Sequence, residues 1–320
     1  MQTLTIGPND ANQRLDRFLK KLMPEATSSL LYKSIRKKNI TVNGKKTDEK
    51  AIVQLGDEVN IYFSDETIEK FKGKARERRK AQNFPEIIYE DDNIILMNKP
   101  AGVLSHNDGK AYVPNMVDKM VDYLIATGSY SPRTEQTFRP AICNRLDRNT
   151  SGIIIGAKTA GALRSINRGL QTHAVDKHYY ALVKGEVTEA FTDESALVKD
   201  SAVNRVRVQS GGKYSKTVFR PVAVSAYTLL DVELVTGRTH QIRTVLKRHD
   251  HPIVGDHKYG DPSTNGYFAK HFNYRSQFLH NFKVVFHAIE GLEYLDGRTF
   301  EVPLPDVEGK ILEALFHENL

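Results

Sequence analysis

The chain holds one cysteine, Cys143, and no tryptophan in 320 residues. A lone thiol excludes an intramolecular disulfide framework and any cysteine-rich zinc or iron–sulfur site. Long apolar runs are absent too: stretches such as 94–97 and 153–155 fall far short of the ~20 residues that span a bilayer. The N-terminal segment has no apolar core and no small-residue cleavage site, so no secretory signal is expected. No glycine fingerprint for a nucleotide phosphate occurs. His240, His249, His251, Asp256 and His257 cluster in sequence, but without the spacing of a metal site, and neither metal nor cofactor is expected. What remains is a globular composition, 27% charged and 40% hydrophobic, long enough for about two domains at ~150 residues each. A cytoplasmic protein in a reducing compartment, with no membrane partner, is the expectation.

Charge is out of balance in one region only. Residues 1–84 carry 18 Lys and Arg against 11 Asp and Glu, while residues 85–320 carry 28 of each, so the whole excess of seven sits in the first quarter. A basic head on a neutral body points to a polyanionic partner, with RNA foremost. A solubilising face is the plain alternative.

The head has a readable plan. Leu15, Phe18, Leu19 and Leu22 at i, i+3, i+4 and i+7 predict an amphipathic helix ended by Pro24, with Arg14 and Arg17 on its polar side. A second helix is expected from Ser28 or Ser29 to Lys38, with Lys33, Arg36, Lys37 and Lys38 as further phosphate contacts. A strand at 40–42, an Asn43-Gly44 turn and an alternating strand at 59–63 follow. The order of two helices and a small sheet, with RLDRFLKKLMP, ITVNGKK and LGDEV, resembles the S4-type RNA-binding domain. Residues 1–63 are assigned to it, and 64–84 read as a charged linker, exposed or a short solvated helix.

The body, 85–320, changes pattern. Strands are expected at 86–89, 93–97, 153–157, 179–183, 218–224, 227–235 and about 283–286. Helices are expected at 115–126, 159–170 and 241–248, with a Pro- and Gly-rich loop after the last. Successive strands without crossover helices predict an α+β fold with a mixed, largely antiparallel sheet.

Three segments offer chemistry. In residues 143–155, Asp147 stands between Arg145 and Arg148 just ahead of an apolar strand; cationic neighbours keep such a carboxylate ionised and nucleophilic. Taken alone, an ion-paired turn residue is the commoner reading. In 236–243, Arg238, Thr239, His240, Gln241 and Arg243 gather where a strand enters a helix, and either arginine suits a phosphate or Asp147. In 177–185, Tyr179 and Tyr180 point to opposite faces of a strand, so only one faces any given site.

In order and spacing these segments resemble the RluA/RluC/RluD-type pseudouridine synthases. Asn144-Arg145-Leu146-Asp147-Arg148-Asn149-Thr150-Ser151-Gly152 stands against the family's His-Arg-Leu-Asp-x-x-Thr-Ser-Gly. Asn-Lys-Pro-Ala-Gly at 98–102, Lys-x-Tyr-x-Ala at 177–181, Gly-Arg-Thr-His-Gln-Ile-Arg at 237–243 and His-Pro-Ile-Val-Gly-Asp from 251 also match. Asn144 and Val245 depart from the family, which commonly has histidine at both. An N-terminal S4-type domain is a common attachment there. The resemblance implies isomerisation of uridine to pseudouridine in structured RNA, without cofactor. Ribosomal RNA of the large subunit is the favoured target and transfer RNA the second. It further implies that Asp147 is the nucleophile or essential carboxylate, that Arg243 pairs with it, and that Tyr179 is, or positions, the base for the C5 proton. Arg145 would fill the space the uridine leaves; Thr150, Ser151 and Gly152 would shape the loop beneath; Arg238, Thr239, His240 and Gln241 would hold substrate. A monomer without an obligate protein partner is expected. Rival readings are a non-catalytic RNA-binding or ribosome-assembly factor on the same fold, and a glycoside hydrolase. The hydrolase needs a second carboxyl about 5–5.5 Å away, for which Asp256 is the one candidate.

Overall fold

The computed structural model describes every residue except 74–83, 108, 110–111, 133–134, 201–204 and 317–320. Its head comprises β1 (Gln2–Thr5), β2 (Gln13–Arg14), α1 (Leu15–Leu22), α2 (Ser28–Arg36), β3 (Ile40–Val42), β4 (Ile52–Val53), β5 (Glu58–Ile61) and α3 (Asp65–Lys72). Leu15, Phe18 and Leu19 are fully buried, as the helical spacing demands, and pack with Ile35, Ile40, Val59 and Ile61. Helix α2 starts one residue earlier than its serines suggest: Thr27 is the cap, its hydroxyl accepting from the Leu30 amide at 3.3 Å. Strand β1 has no strong pattern in the sequence and pairs antiparallel with β5, which also pairs with β3. The charged stretch after residue 63 is not wholly solvated. Ser64 caps α3, and Ile68, 2% exposed, is buried in the head's core while Phe71 packs edge-on to Phe63. Residues 74–83 of the expected linker lie outside the described residues.

The body runs β6 (Glu86–Glu90), β7 (Ile94–Lys99), α4 (Met116–Ala126), β8 (Ala141–Ile142), β9 (Ser151–Ala157), α5 (Ala160–Gln171), β10 (Val175–Lys184), β11 (Phe191–Asp200), β12 (Arg205–Val208), β13 (Lys213–Val224), β14 (Tyr227–Leu234), α6 (Gln241–Arg248), α7 (Pro262–His271), β15 (Leu279–Phe286), β16 (Thr299–Glu301) and α8 (Asp306–Phe316). They build one sheet in the order β12-β11-β13-β14-β10-β15-β9-β7-β6, with β16 on β15 and β8 on β9. All its pairings are antiparallel but one, between β9 and β15, so the fold is α+β with a largely antiparallel sheet. Both faces are covered in the centre. Ile95, Met97 and Ile154 pack with α4, whereas Ile94, Leu96, Ile153 and Ile155 pack with α5, which explains the unbroken apolar runs of β7 and β9.

Two expectations for the body need correction. The loop after α6 contains α7, started by an Asp261 cap that accepts from the Thr264 amide at 2.9 Å, with Pro262 in the first helical turn. Strand β15 begins at Leu279, four residues before its expected start, and that earlier half sits beside the site. Among the described residues no helix is long and apolar enough to cross a membrane.

Candidate active site

Register brings the chemistry together. Asn281 of β15 is the Cα partner of Tyr179 on one side and of Gly152 on the other, so three distant segments share one row across the sheet. The register between the two strands shifts by passing over Phe282 of β15, which sets Tyr179 opposite Asn281 while β10 itself keeps its alternation. Gly152 lets the row close: its φ is +108°, and a Cβ there would lie 2.2 Å from the Asn281 carbonyl oxygen. Thr150 accepts from Gln277 Nε2 at 2.5 Å and Ser151 Oγ bonds His280 Nδ1 at 2.8 Å, both buried.

The loop carrying Asp147 is held from below. Lys99, with no exposed surface, donates to the carbonyls of Pro100, Val103 and Arg148 at 3.0, 2.7 and 2.9 Å. Burial pushes its ammonium down to about 7, partly offset by the charge of Asp147. Ser105 Oγ donates to the Leu146 carbonyl at 2.6 Å and accepts from the Leu146 amide at 3.0 Å.

Arg243, in the first turn of α6, grips two carboxylates. Nε and Nη2 donate to both oxygens of Asp256 at 2.7 and 2.8 Å, while Nη1 donates to Asp147 Oδ2 at 2.7 Å. Burial opposes its charge, but Asp256 and then Asp147 outweigh that and raise its pKa. Asp256, 1% exposed, also accepts from the amides of Lys258 and Tyr259. Burial raises its pKa, yet these donors, Arg243 above all, hold it below the usual carboxylate range. A buried carboxylate so held has no proton to give. That removes the second acid a glycoside hydrolase requires and makes Asp256 the anchor of Arg243, a role the sequence alone did not reveal.

Above Asp147 opens a cavity of about 1350 Å³, larger than the ~300–1,000 Å³ typical of small-molecule sites and suited to a polymer. Its lining includes Arg145, Tyr179, Arg238, Thr239, His240 and Arg243. Seven of the lining residues are Lys or Arg, and Asp147 is the one acidic residue among them. The neutral sum of the body's charge therefore hides a segregated one. Tyr179 is 4% exposed, and burial with the nearby Asp147 charge pushes its hydroxyl up, so it stays protonated. His240, in a left-handed conformation at φ 51°, bonds Tyr259 Oη through Nδ1 at 2.9 Å; burial lowers its pKa to about 4, so it faces Asp147 neutral.

Some expected site residues lie elsewhere. Ser151 and Gly152 serve the β9–β15 junction outside the cavity wall, and Thr150 and Gln241 line a small recess beside it. Gln241 Oε1 accepts from Thr236 Oγ1 and the Arg238 amide, each at 2.9 Å, and fixes the entry to α6. No described residue of 1–84 lines the cavity. In the head, Arg17, Lys33, Arg36, Lys37 and Lys38 are exposed, whereas Arg14 is paired with Asp16 at 2.5 Å. The remaining histidines disperse: His249 bonds Asp193, His251 the Lys184 carbonyl and His257 the Arg275 carbonyl. Among the described residues no group of three or more His, Cys, Asp or Glu is placed to hold a metal. Asn144 bridges β9, accepting from the Ile155 amide at 2.8 Å, and Val245 is fully buried in the core, so neither departure removes a group from Asp147.

The sequence profile of RNA pseudouridylate synthases matches residues 93–248, and that of the S4 domain matches 13–59. Ribosomal large subunit pseudouridine synthase C of Vibrio vulnificus is 33% identical over 277 residues, 85% of this chain and 84% of that protein. The chain belongs to the RNA pseudouridine synthase family. The synthase C of Escherichia coli K12 is 32% identical over 267 residues, covering 82% and 80% of the two chains. The fold agrees: the human RNA pseudouridylate synthase domain containing 4 aligns with a TM-score of 0.57 at 21% identity, over 71% of this chain and 92% of that one. The human RNA pseudouridylate synthase domain containing 1 aligns with a TM-score of 0.51 at 23% identity, over 69% of this chain and 83% of that one. The chain is thus an RNA pseudouridine synthase, an enzyme of uridine isomerisation, in which the N1–C1′ bond breaks, C5 bonds to C1′, C5 loses a proton and N1 gains one.

Proposed function

We propose that this synthase converts uridine to pseudouridine in large-subunit ribosomal RNA, acting in the cytoplasm as a monomer. The RNA class follows the relatives of about a third identity. The observation that carries the chemistry is a carboxylate, Asp147, held at 2.7 Å by Arg243 in a cavity whose other charged lining residues, among those described, are Lys and Arg. The cations draw in the phosphate backbone, and the uridine is extruded into the cleft at an unstacking cost of a few kcal/mol. Arg145, exposed at the cleft wall, is free to occupy the gap in the RNA.

Asp147 then acts on the sugar. As N1–C1′ breaks, positive charge grows on the ribose, and a fixed carboxylate stabilises it or bonds to it. Arg243 keeps that carboxylate aimed, with Asp256 preventing the guanidinium from turning. The protonated Tyr179 hydroxyl lies against the uracil and guides its rotation. With the phenol protonated and His240 neutral beside it, Asp147 is the anion in the cleft that takes up the C5 proton. Exposed cations of the head supply a second, sequence-independent grip on folded RNA. Nucleotide-resolution pseudouridine mapping of total RNA from cells with and without the protein tests this. The expected result is loss of signal at discrete uridines of large-subunit ribosomal RNA. Loss confined to transfer RNA, or no loss, overturns the target assignment.

A further inference from the structure

Lys177 precedes Tyr179 by two residues on β10, so both side chains leave the same face of the strand, about 7 Å apart along it. It is 6% exposed and lines the active-site cavity. The other buried cations here are satisfied: Lys99 by three carbonyls and Arg243 by two carboxylates. Lys177 has no hydrogen-bond or ion-pair partner among the described residues. Burial lowers its pKa to about 8, with the charge of Asp176 opposing, so the ammonium persists at neutral pH. A desolvated cation without a counter-ion costs stability unless an anion arrives. Asp147, the only carboxylate of the cavity lining among the described residues, is already engaged by Arg243, and the neighbouring helix contributes only uncharged groups to the lining, among them Asn167 and Gln171.

We infer that Lys177 binds the phosphate on one side of the extruded uridine, completing a set in which Tyr179 meets the base and Asp147 the sugar. This rests on the proposed function. A phosphodiester is an anion with acceptors only, which suits an ammonium that has donors only. The lysine is thereby a positioning residue: it fixes the nucleotide along β10, and the proton transfers stay with other groups.

The test uses the full chain and an unmodified large-subunit ribosomal RNA transcript. Lys177→Met is expected to raise KM about tenfold with kcat within about threefold. Measured in an Asp147→Asn background, it should reduce the slope of log K against log salt by about one. Lys177→Arg should restore most of the affinity. Ethylation of a phosphate next to the modified uridine should block the wild type and have no further effect on Lys177→Met. Unchanged KM and salt slope in a folded Lys177→Met protein overturn the inference. So does a collapse of kcat at unchanged KM that arginine does not rescue, which would make Lys177 a proton-transfer group. Should Lys177→Met not fold, ethylation interference on the wild type decides, and insensitivity at both flanking phosphates overturns the inference. A wild type that forms no pseudouridine in the transcript defeats the proposed function instead, a separate outcome.

Discussion

The head and the cleft are both basic, but they become so in different ways. The head's cations sit on a short helical hairpin, and its excess charge is visible in any count along the chain. The cleft's seven Lys and Arg come from segments spread between residues 145 and 258, in a body whose total charge is neutral because most of its acids lie elsewhere. Glu194, for example, pairs with Lys216, and Glu233 with Arg220, away from the cavity lining. Sequence charge therefore reports a binding surface when the surface is local and misses it when tertiary structure assembles it. The cleft also differs in cost. Its charges are partly buried and need partners, whereas those of the head are solvated and need none.

The comparison is best broken at the reacting group. Asp147→Asn removes the one acidic group that lines the cleft among the described residues and leaves both basic surfaces; isomerisation should fall by about 10⁴-fold or more while RNA affinity stays within a few-fold. Measurable turnover near the wild-type rate would refute the role given to Asp147. Gly152→Ala should strike the cleft and spare the head. Its Cβ meets the Asn281 backbone at 2.2 Å and its φ of +108° is hostile to a side chain, so the body should lose about 3 kcal/mol or more. Chemical denaturation should then show an earlier transition for the body than in the wild type; an unchanged profile would mean the junction relaxes. The smallest effect belongs to the head. Arg36→Gln with Lys37→Gln should weaken RNA binding by about tenfold and cut the salt slope by less than two, with kcat unaffected. Equal loss of kcat would show that the head positions the target rather than merely holding RNA.

Legibility followed the range of the interactions. Helix α1 was readable because its apolar spacing lies within one segment, and α6 was bounded correctly at 241–248 for the same reason. The arm formed by β11, β12 and the first half of β13 was not, because it is a solvated ribbon whose burial does not alternate cleanly. Helix α8 passed unread as well, although it buries Ile311, Leu312 and Phe316 against the body's core. In the site, Asp147 and Arg243 stand 96 residues apart, and the family motifs rather than any local pattern paired them. Asp256 looked like a spare acid and proved to be the clamp on Arg243, while Lys177 had no visible task at all. Both roles are defined by what surrounds the side chain.

The sequence by itself determined the residue types for the chemistry, the family, the basic head and most elements whose apolar residues repeat at a regular period. Tertiary structure decided which carboxylate faces the cleft and which is buried, which cations are satisfied, and where charge accumulates. Those properties depend on distance and desolvation, and residues far apart in the chain acquire both only when β9 closes against β15.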